Sequence, residues 1–209
     1  MIIFPVNIWD KTKLLIMIHT RKDLQEYLSA DKAAMGFGKG RRSIWKECLK
    51  GNIEDVFLMR FICSMRKYEY VFNNYKKWGF CGKIVYLLYK HCYKRKCVKY
   101  SMYIDANTFG PGLHIVHPGF IRTGVTCRVG NNCTILPRVL MGKKRPGLPA
   151  PCVFLGNNCY IGTGATVLGP IHIGNNVTIA AGAVVVKDVP DNAVVAGNPA
   201  KIIKFKTDL

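Results

Sequence analysis

The sequence predicts an α+β protein in which a helical region, residues 1–100, precedes a parallel β-helix, residues 101–209, with one protruding loop. Three observations carry this. First, an aliphatic residue returns every six positions at Val129, Ile135 and Met141, and again at Leu155, Ile161, Val167, Ile173, Ile179 and Val185. A small or branched residue stands four places after most of them, as at Cys133, Cys159, Ala165, Val177 and Ala183. A period of six suits neither a helix nor a plain strand; it marks a solenoid. Second, the count breaks once, where Met141 and Leu155 stand fourteen residues apart. Third, composition shifts near Ser101. Residues 1–104 hold 21 Lys/Arg against 8 Asp/Glu, and residues 105–209 hold 10 against 4, while Gly, Asn, Val and Ile rise.

The 209 residues are 49% hydrophobic, which excludes global disorder, and the net charge of +19 favours anionic partners such as phosphates, nucleic acid or acidic lipid headgroups. Nine cysteines include no Cys-x-x-Cys pair, and no metal is implied. Cys127, Cys133 and Cys159 fall in an inward slot of the register, where a thiol serves as a small apolar filler. The odd cysteine count and an opening without a basic, then apolar, signal pattern predict a cytoplasmic chain. No stretch reaches about 18 uncharged apolar residues, so no membrane span is expected.

In chain order, residues 1–19 are punctuated by Pro5, Asp10, Lys11 and Lys13 and are left unassigned. Thr20-Arg-Lys-Asp23 reads as a capping box opening a helix to about Ala34, with Leu24, Tyr27, Leu28 and Ala34 apolar. Gly36, Gly38 and Gly40 with Arg41-Arg42 make a basic loop, and a short helix follows Ser43 with Ile44, Trp45 and Leu49 buried. Asn52 caps a longer helix that runs to Asn73-Asn74 with Val56, Phe57, Met59, Phe61, Ile62, Met65, Tyr68 and Phe72 apolar. A last helix, from about Gly82 to Val98, mixes Ile84, Val85, Leu87, Leu88 and Tyr89 with Lys90, Lys94, Arg95 and Lys96. It suits an acidic membrane surface, but the favoured reading packs its apolar side on neighbours and leaves its lysines solvated.

Six residues make a short strand and a bend, and three such units close a triangular coil of about 18 residues. Run backwards, the register places Phe109, Ile115, Ile121 and Cys127 inward and begins the coils near residue 101. The Gly-Asn-Asn triplets at 130–132, 156–158 and 174–176 mark corners, where these residues tolerate left-handed backbone angles.

These repeats resemble those of the hexapeptide-repeat acyltransferases, and the resemblance implies a left-handed β-helix, an exception to the usual right-handed crossover. It also implies a homotrimer with sites between prisms and acetyl-CoA as the acyl donor. The ending from Val185 to Ile203 is similar to that of acetyl-CoA-using members, and Gly112-Leu-His-Ile-Val-His117-Pro-Gly resembles the catalytic-histidine segment of serine acetyltransferases and their polysaccharide-modifying relatives. Asp23 to Asp31 and the helices look most like the polysaccharide branch.

Moving an acetyl group from a thioester to a hydroxyl needs a base that titrates near neutrality. His117 opens a six-residue unit at a slot otherwise aliphatic, and a dry narrow core does not suit an imidazole, so it is the catalytic candidate. His114 is its rival and is grouped with Asp105 and Lys143 on the acceptor side, while His19, His91 and His172 are read as surface or packing residues. The resemblance places Gly142 amides at the thioester oxygen, the pantetheine arm along Gly162 and Ala181, and Lys187, Lys201 and Lys204 at the coenzyme phosphates.

Where serine acetyltransferases carry aspartates beside the histidine, this chain has Val116 and Met102, and their loop Arg-His falls on Pro151-Cys152. Asp105, Asn107 or a backbone carbonyl is left to orient His117. These departures turn the expectation from serine to a sugar hydroxyl in a surface polysaccharide or its lipid-linked precursor, with peripheral contact at a membrane's inner face through the basic helices. The alternatives are serine O-acetylation and a non-catalytic scaffold.

Overall fold

The computed structural model describes residues 17–37, 53–148 and 152–206. The expectations for residues 1–16, for Gly38 to Asn52 and for Pro151 lie outside these. Helix α1 (Arg21–Ala34) opens on the capping box read from sequence: Asp23 N donates to Thr20 Oγ1 at 3.1 Å, and Thr20 N donates back to Asp23 Oδ2 at 2.8 Å. Helix α2 (Ile53–Asn74) is followed by a 3₁₀ turn (Tyr75–Trp78) and helix α3 (Gly79–Tyr100).

Helix α2 is the centre of the helical half, with Leu58, Met59, Phe61, Ile62 and Met65 buried, whereas Phe57 and Phe72 stay partly exposed. Tyr68 stacks on Tyr93 at 5.1 Å between ring centres, and Tyr93 OH donates to the Ile104 carbonyl at 2.6 Å, tying α3 to the first strand. Against expectation, the apolar side chains of α3 do not all pack inward. Gly82, against the 3₁₀ turn, and Tyr93 and Cys97 are buried, whereas Ile84, Leu87, Leu88 and Tyr89 are exposed.

Fourteen strands follow among the described residues. Strands β1 (Met102–Ile104), β3 (Ile121–Thr123), β6 (Val139–Lys143), β9 (Thr166–Gly169) and β12 (Val184–Val185) form one parallel sheet. A second holds β4 (Cys127–Val129), β7 (Val153–Leu155) and β10 (Ile171–Ile173). The third runs β2 (His114–Ile115), β5 (Thr134–Ile135), β8 (Tyr160–Ile161), β11 (Thr178–Ile179), β13 (Ala193–Gly197) and β14 (Ala200–Phe205). Every pairing is parallel except β13 with β14, a hairpin that closes the last coil. Within the regular repeats partners stand 18 residues apart, as Val153 with Ile171, and 26 apart where the loop intervenes, as Cys127 with Val153. The end coils depart from this, with Met102 against Ile121, His114 against Thr134 and Thr178 against Val194. The loop therefore bulges from one corner without disturbing the stack.

Side chains alternate in and out along each strand. Ile115, Ile121, Val139, Val153, Ile161, Val167 and Ile179 are fully buried, and Cys127, Cys133 and Cys159 fill the same core as free thiols.

The Gly-Asn-Asn corners divide their labour more finely than backbone tolerance alone suggests. The left-handed residue is the second asparagine, with φ of 55° at Asn132, 56° at Asn158 and 55° at Asn176. The first asparagine bonds to the coil before it: Asn131 N donates to Asn157 Oδ1, and Asn157 N to Asn175 Oδ1, each at 2.8 Å. The glycine is needed for closeness, since a Cβ on Gly130 would stand 2.4 Å from Asn157 Oδ1.

Helix α1 and helix α2 dock on the first coil through a buried cation. Arg66 spends all five donors: on Asp31 Oδ2 (2.8 Å) and Oδ1 (3.3 Å), on Glu69 Oε2 (3.0 Å), and on the carbonyls of Phe109 (2.8 Å) and Gly110 (2.7 Å). Burial presses its charge down, but the carboxylates of Glu69 and Asp31 outweigh this and hold the guanidinium above its ordinary value. Asp31 Oδ1 also accepts from Gly112 N and Leu113 N, both at 2.9 Å, and Glu69 Oε1 accepts from Asn107 N at 2.9 Å. Gly112 adopts φ +82°, and a Cβ there would meet Asn132 Oδ1 at 2.1 Å. The segment leading to His117 is thus clamped from both sides.

Candidate active site

His117 lies just beyond β2, after buried Ile115, where the chain bends into Pro118-Gly119. Ile115, not His117, stands opposite Ile135 in the inward slot, so the six-residue register slips by two in the first coil, and the His117 ring turns outward with its side chain 61% exposed. Its Nδ1 stands 2.8 Å from Glu54 Oε1 in the first turn of α2. A carboxylate only accepts, so in the neutral ring the shared proton sits on Nδ1 and Nε2 keeps a free lone pair. This is the tautomer a general base needs.

Glu54 corrects the orienting roles offered to Asp105 and Asn107. Asp105 receives Lys94 Nζ at 3.0 Å instead. Asn107 exchanges amide hydrogen bonds with Asn73, at 2.8 and 3.1 Å. Sequence reasoning missed Glu54 because an acid in the first turn of a helix is already explained by the helix dipole. Only the docking of α2 on the first coil brings it to a histidine 63 residues away.

Beside the pair, a cleft of about 410 Å³ is lined by Ile53, Glu54, Phe57, Leu58, Tyr100, Met102 and Pro118. Met102 forms part of its wall, so the position that carries an acid in the resembling enzymes is apolar here while the carboxylate arrives from α2. His114 points outward from β2, and burial lowers its pKa below the ordinary imidazole value although the Asp55 carboxylate pulls the other way. Among the histidines read as ordinary, His172 stacks on Phe154 at 4.8 Å, and His19 and His91 are exposed.

The other candidates sit further along the prism. Gly142 lies one residue before the end of β6, opposite Leu168, and no heavy atom stands within 4 Å of where its Cβ would be. Lys143 is tied into its own loop, its ammonium donating to the Leu148 carbonyl. Gly162 has a packing reason: a Cβ there would meet Ala181 N at 2.6 Å and Ile179 O at 2.8 Å in the next coil. Ala181, Lys187, Lys201 and Lys204 are exposed, the last two on β14.

The bacterial transferase hexapeptide family (six repeats) matches residues 153–187. A serine acetyltransferase of Synechococcus elongatus is 43% identical over 96 residues, covering 45% of this chain and 38% of that one. The crystal structure of a Brucella abortus serine acetyltransferase in complex with coenzyme A superposes with a TM-score of 0.68 at 25% identity, over 90% of this chain and 71% of that chain. A Neisseria gonorrhoeae serine acetyltransferase in complex with serine superposes at 0.60 and 26% identity, over 86% and 69%. Over these stretches the chain is similar to serine acetyltransferases. It spans less than half the length of the curated relatives it first matches.

This serine acetyltransferase-like character overturns the expected sugar acceptor and the polysaccharide branch, since the relatives and the superposed structures are serine acetyltransferases. The sugar reading rested on the missing acids at Val116 and Met102 and on Pro151-Cys152 in place of the loop Arg-His. A carboxylate does reach His117, from Glu54 on another element, and Pro151 lies outside the described residues.

Proposed function

We propose that this chain transfers the acetyl group of acetyl-CoA to the hydroxyl of serine. The observation that carries the reading is the 2.8 Å contact between His117 Nδ1 and Glu54 at the mouth of a cleft. The likeness to serine acetyltransferases, one with coenzyme A and one with serine, supports the choice of donor and acceptor.

In this mechanism Nε2 of His117 removes the hydroxyl proton as the oxygen attacks the thioester carbonyl. Glu54 holds the ring and balances the imidazolium that forms. The tetrahedral intermediate collapses, the C–S bond breaks, and the imidazolium returns its proton to the departing thiolate. The open approach at Gly142 supports a donor lying against β6, with backbone amides facing the developing oxyanion. Lys187, Lys201 and Lys204 offer exposed ammonium groups to the coenzyme's phosphates.

The test follows free thiol release from acetyl-CoA with and without L-serine. Serine-dependent release is expected, falling about 10²- to 10⁴-fold in His117→Ala. A folded protein that releases no thiol with serine, or a His117→Ala variant of full activity, contradicts the reading.

A further inference from the structure

Helix α3 is apolar on two opposite faces. Gly82, Tyr93 and Cys97 lie against the body of the protein. On the far side Phe80, Ile84, Leu87, Leu88 and Val98 recur at helical spacing and are 78, 48, 60, 61 and 65% exposed. Globular surfaces scatter single apolar residues; a contiguous stripe of large ones needs a cover. From Phe80 to Leu88 it runs about 12 Å, at 1.5 Å per residue, and His91, Lys94 and Arg95 take the same face before Val98.

The charges beside the stripe select its cover. Helix α3 carries six Lys/Arg and no Asp/Glu. At helical spacing Lys83 and Lys90 fall on one flank of the stripe, and Lys94, which pairs with Asp105, and Arg95 follow it on the same face toward Val98. Lys90 and Lys99 are each held with the ammonium 5.5 Å from a ring centre, over Tyr86 and Tyr100. A second copy packing stripe to stripe would bring these like charges together, which is repulsive. A convex apolar ridge bordered by cations instead matches the interfacial zone of an anionic bilayer, where acyl chains take the ridge and headgroups take the lysines. No helix among the described residues is long and apolar enough to cross a membrane.

We propose that the outward face of α3 docks this protein in the plane of an anionic lipid surface, independently of acetyl transfer. The probe is co-sedimentation of the full chain with vesicles of phosphatidylcholine alone, and of phosphatidylcholine with phosphatidylglycerol at about three to one. The expected result is pelleting with the mixed vesicles only, weakened by salt. Leu87→Ser with Leu88→Ser should lower the partition coefficient at least about tenfold, leaving the melting temperature and thiol release unchanged. The proposal is overturned if the wild type ignores the mixed vesicles, binds neutral vesicles equally well, or is unaffected by the double substitution. A double variant that loses an oligomer, with no vesicle binding by the wild type, assigns the stripe to a second copy and also overturns it.

Discussion

The two halves of the molecule are held together by opposite means. The β-helix is a stack of identical demands, each coil presenting a branched or small side chain to a thin dry core and each corner meeting the next through asparagines. The helical half keeps a fully buried arginine between two carboxylates, packs tyrosines on one another, and leaves large apolar residues on the outside of α3. The repeat half is built from local rules and can be extended coil by coil. The helical half is built from contacts between residues far apart in sequence, so it can carry a group such as Glu54 to a place no local rule would put it.

The largest effect expected from breaking this contrast is at Arg66. Arg66→Ala leaves Asp31 and Glu69 buried without their cation and should cost about 3–5 kcal/mol in urea unfolding. A variant as stable as wild type would mean that the helical half is held by apolar packing after all. Next come the glycines of the repeat half. Gly162→Ala drives a Cβ into the backbone of the following coil and should cost about 1–3 kcal/mol. Gly142→Ala meets open space, so it should spare stability and raise the KM for acetyl-CoA instead. Equal destabilisation at both positions would erase the distinction between a packing glycine and a site glycine.

The smallest effect is one of pH. Burial holds the His114 pKa below its ordinary value, so the unfolded chain binds the proton more tightly than the folded one. Stability should therefore fall as pH drops below about 6.5. His114→Gln should flatten that part of a plot of unfolding free energy against pH; an unchanged slope would place the proton uptake on another group.

What the sequence made legible follows the same division. The six-residue ladder, its interruption after Gly142, the thiols in the core and the helix opening at Thr20 are local patterns, and each is found where it was read. The last helix was read from Gly82 to Val98 and runs from Gly79 to Tyr100, because neither end carries a side-chain cap. Asp31, Arg66 and Glu69 gave no signal, since charged residues on amphipathic helices ordinarily face water and nothing local marks the exception. Glu54 was hidden for the same reason. The absence of acids at Val116 and Met102 could be read from the sequence; the carboxylate that reaches His117 from α2 could not, and the sugar acceptor was inferred from those absences and from Pro151-Cys152.

Glu54 is also where the account is most exposed. The direct measurement is steady-state thiol release from acetyl-CoA with L-serine, comparing wild type with Glu54→Gln. With the carboxylate gone, the Nδ1 proton loses its acceptor and the forming imidazolium its counter-charge. The kcat should then fall about 10- to 100-fold, with the KM for acetyl-CoA and the melting temperature unchanged. A Glu54→Gln enzyme with wild-type kcat would contradict the claim that the helical half completes the catalytic histidine of the repeat half.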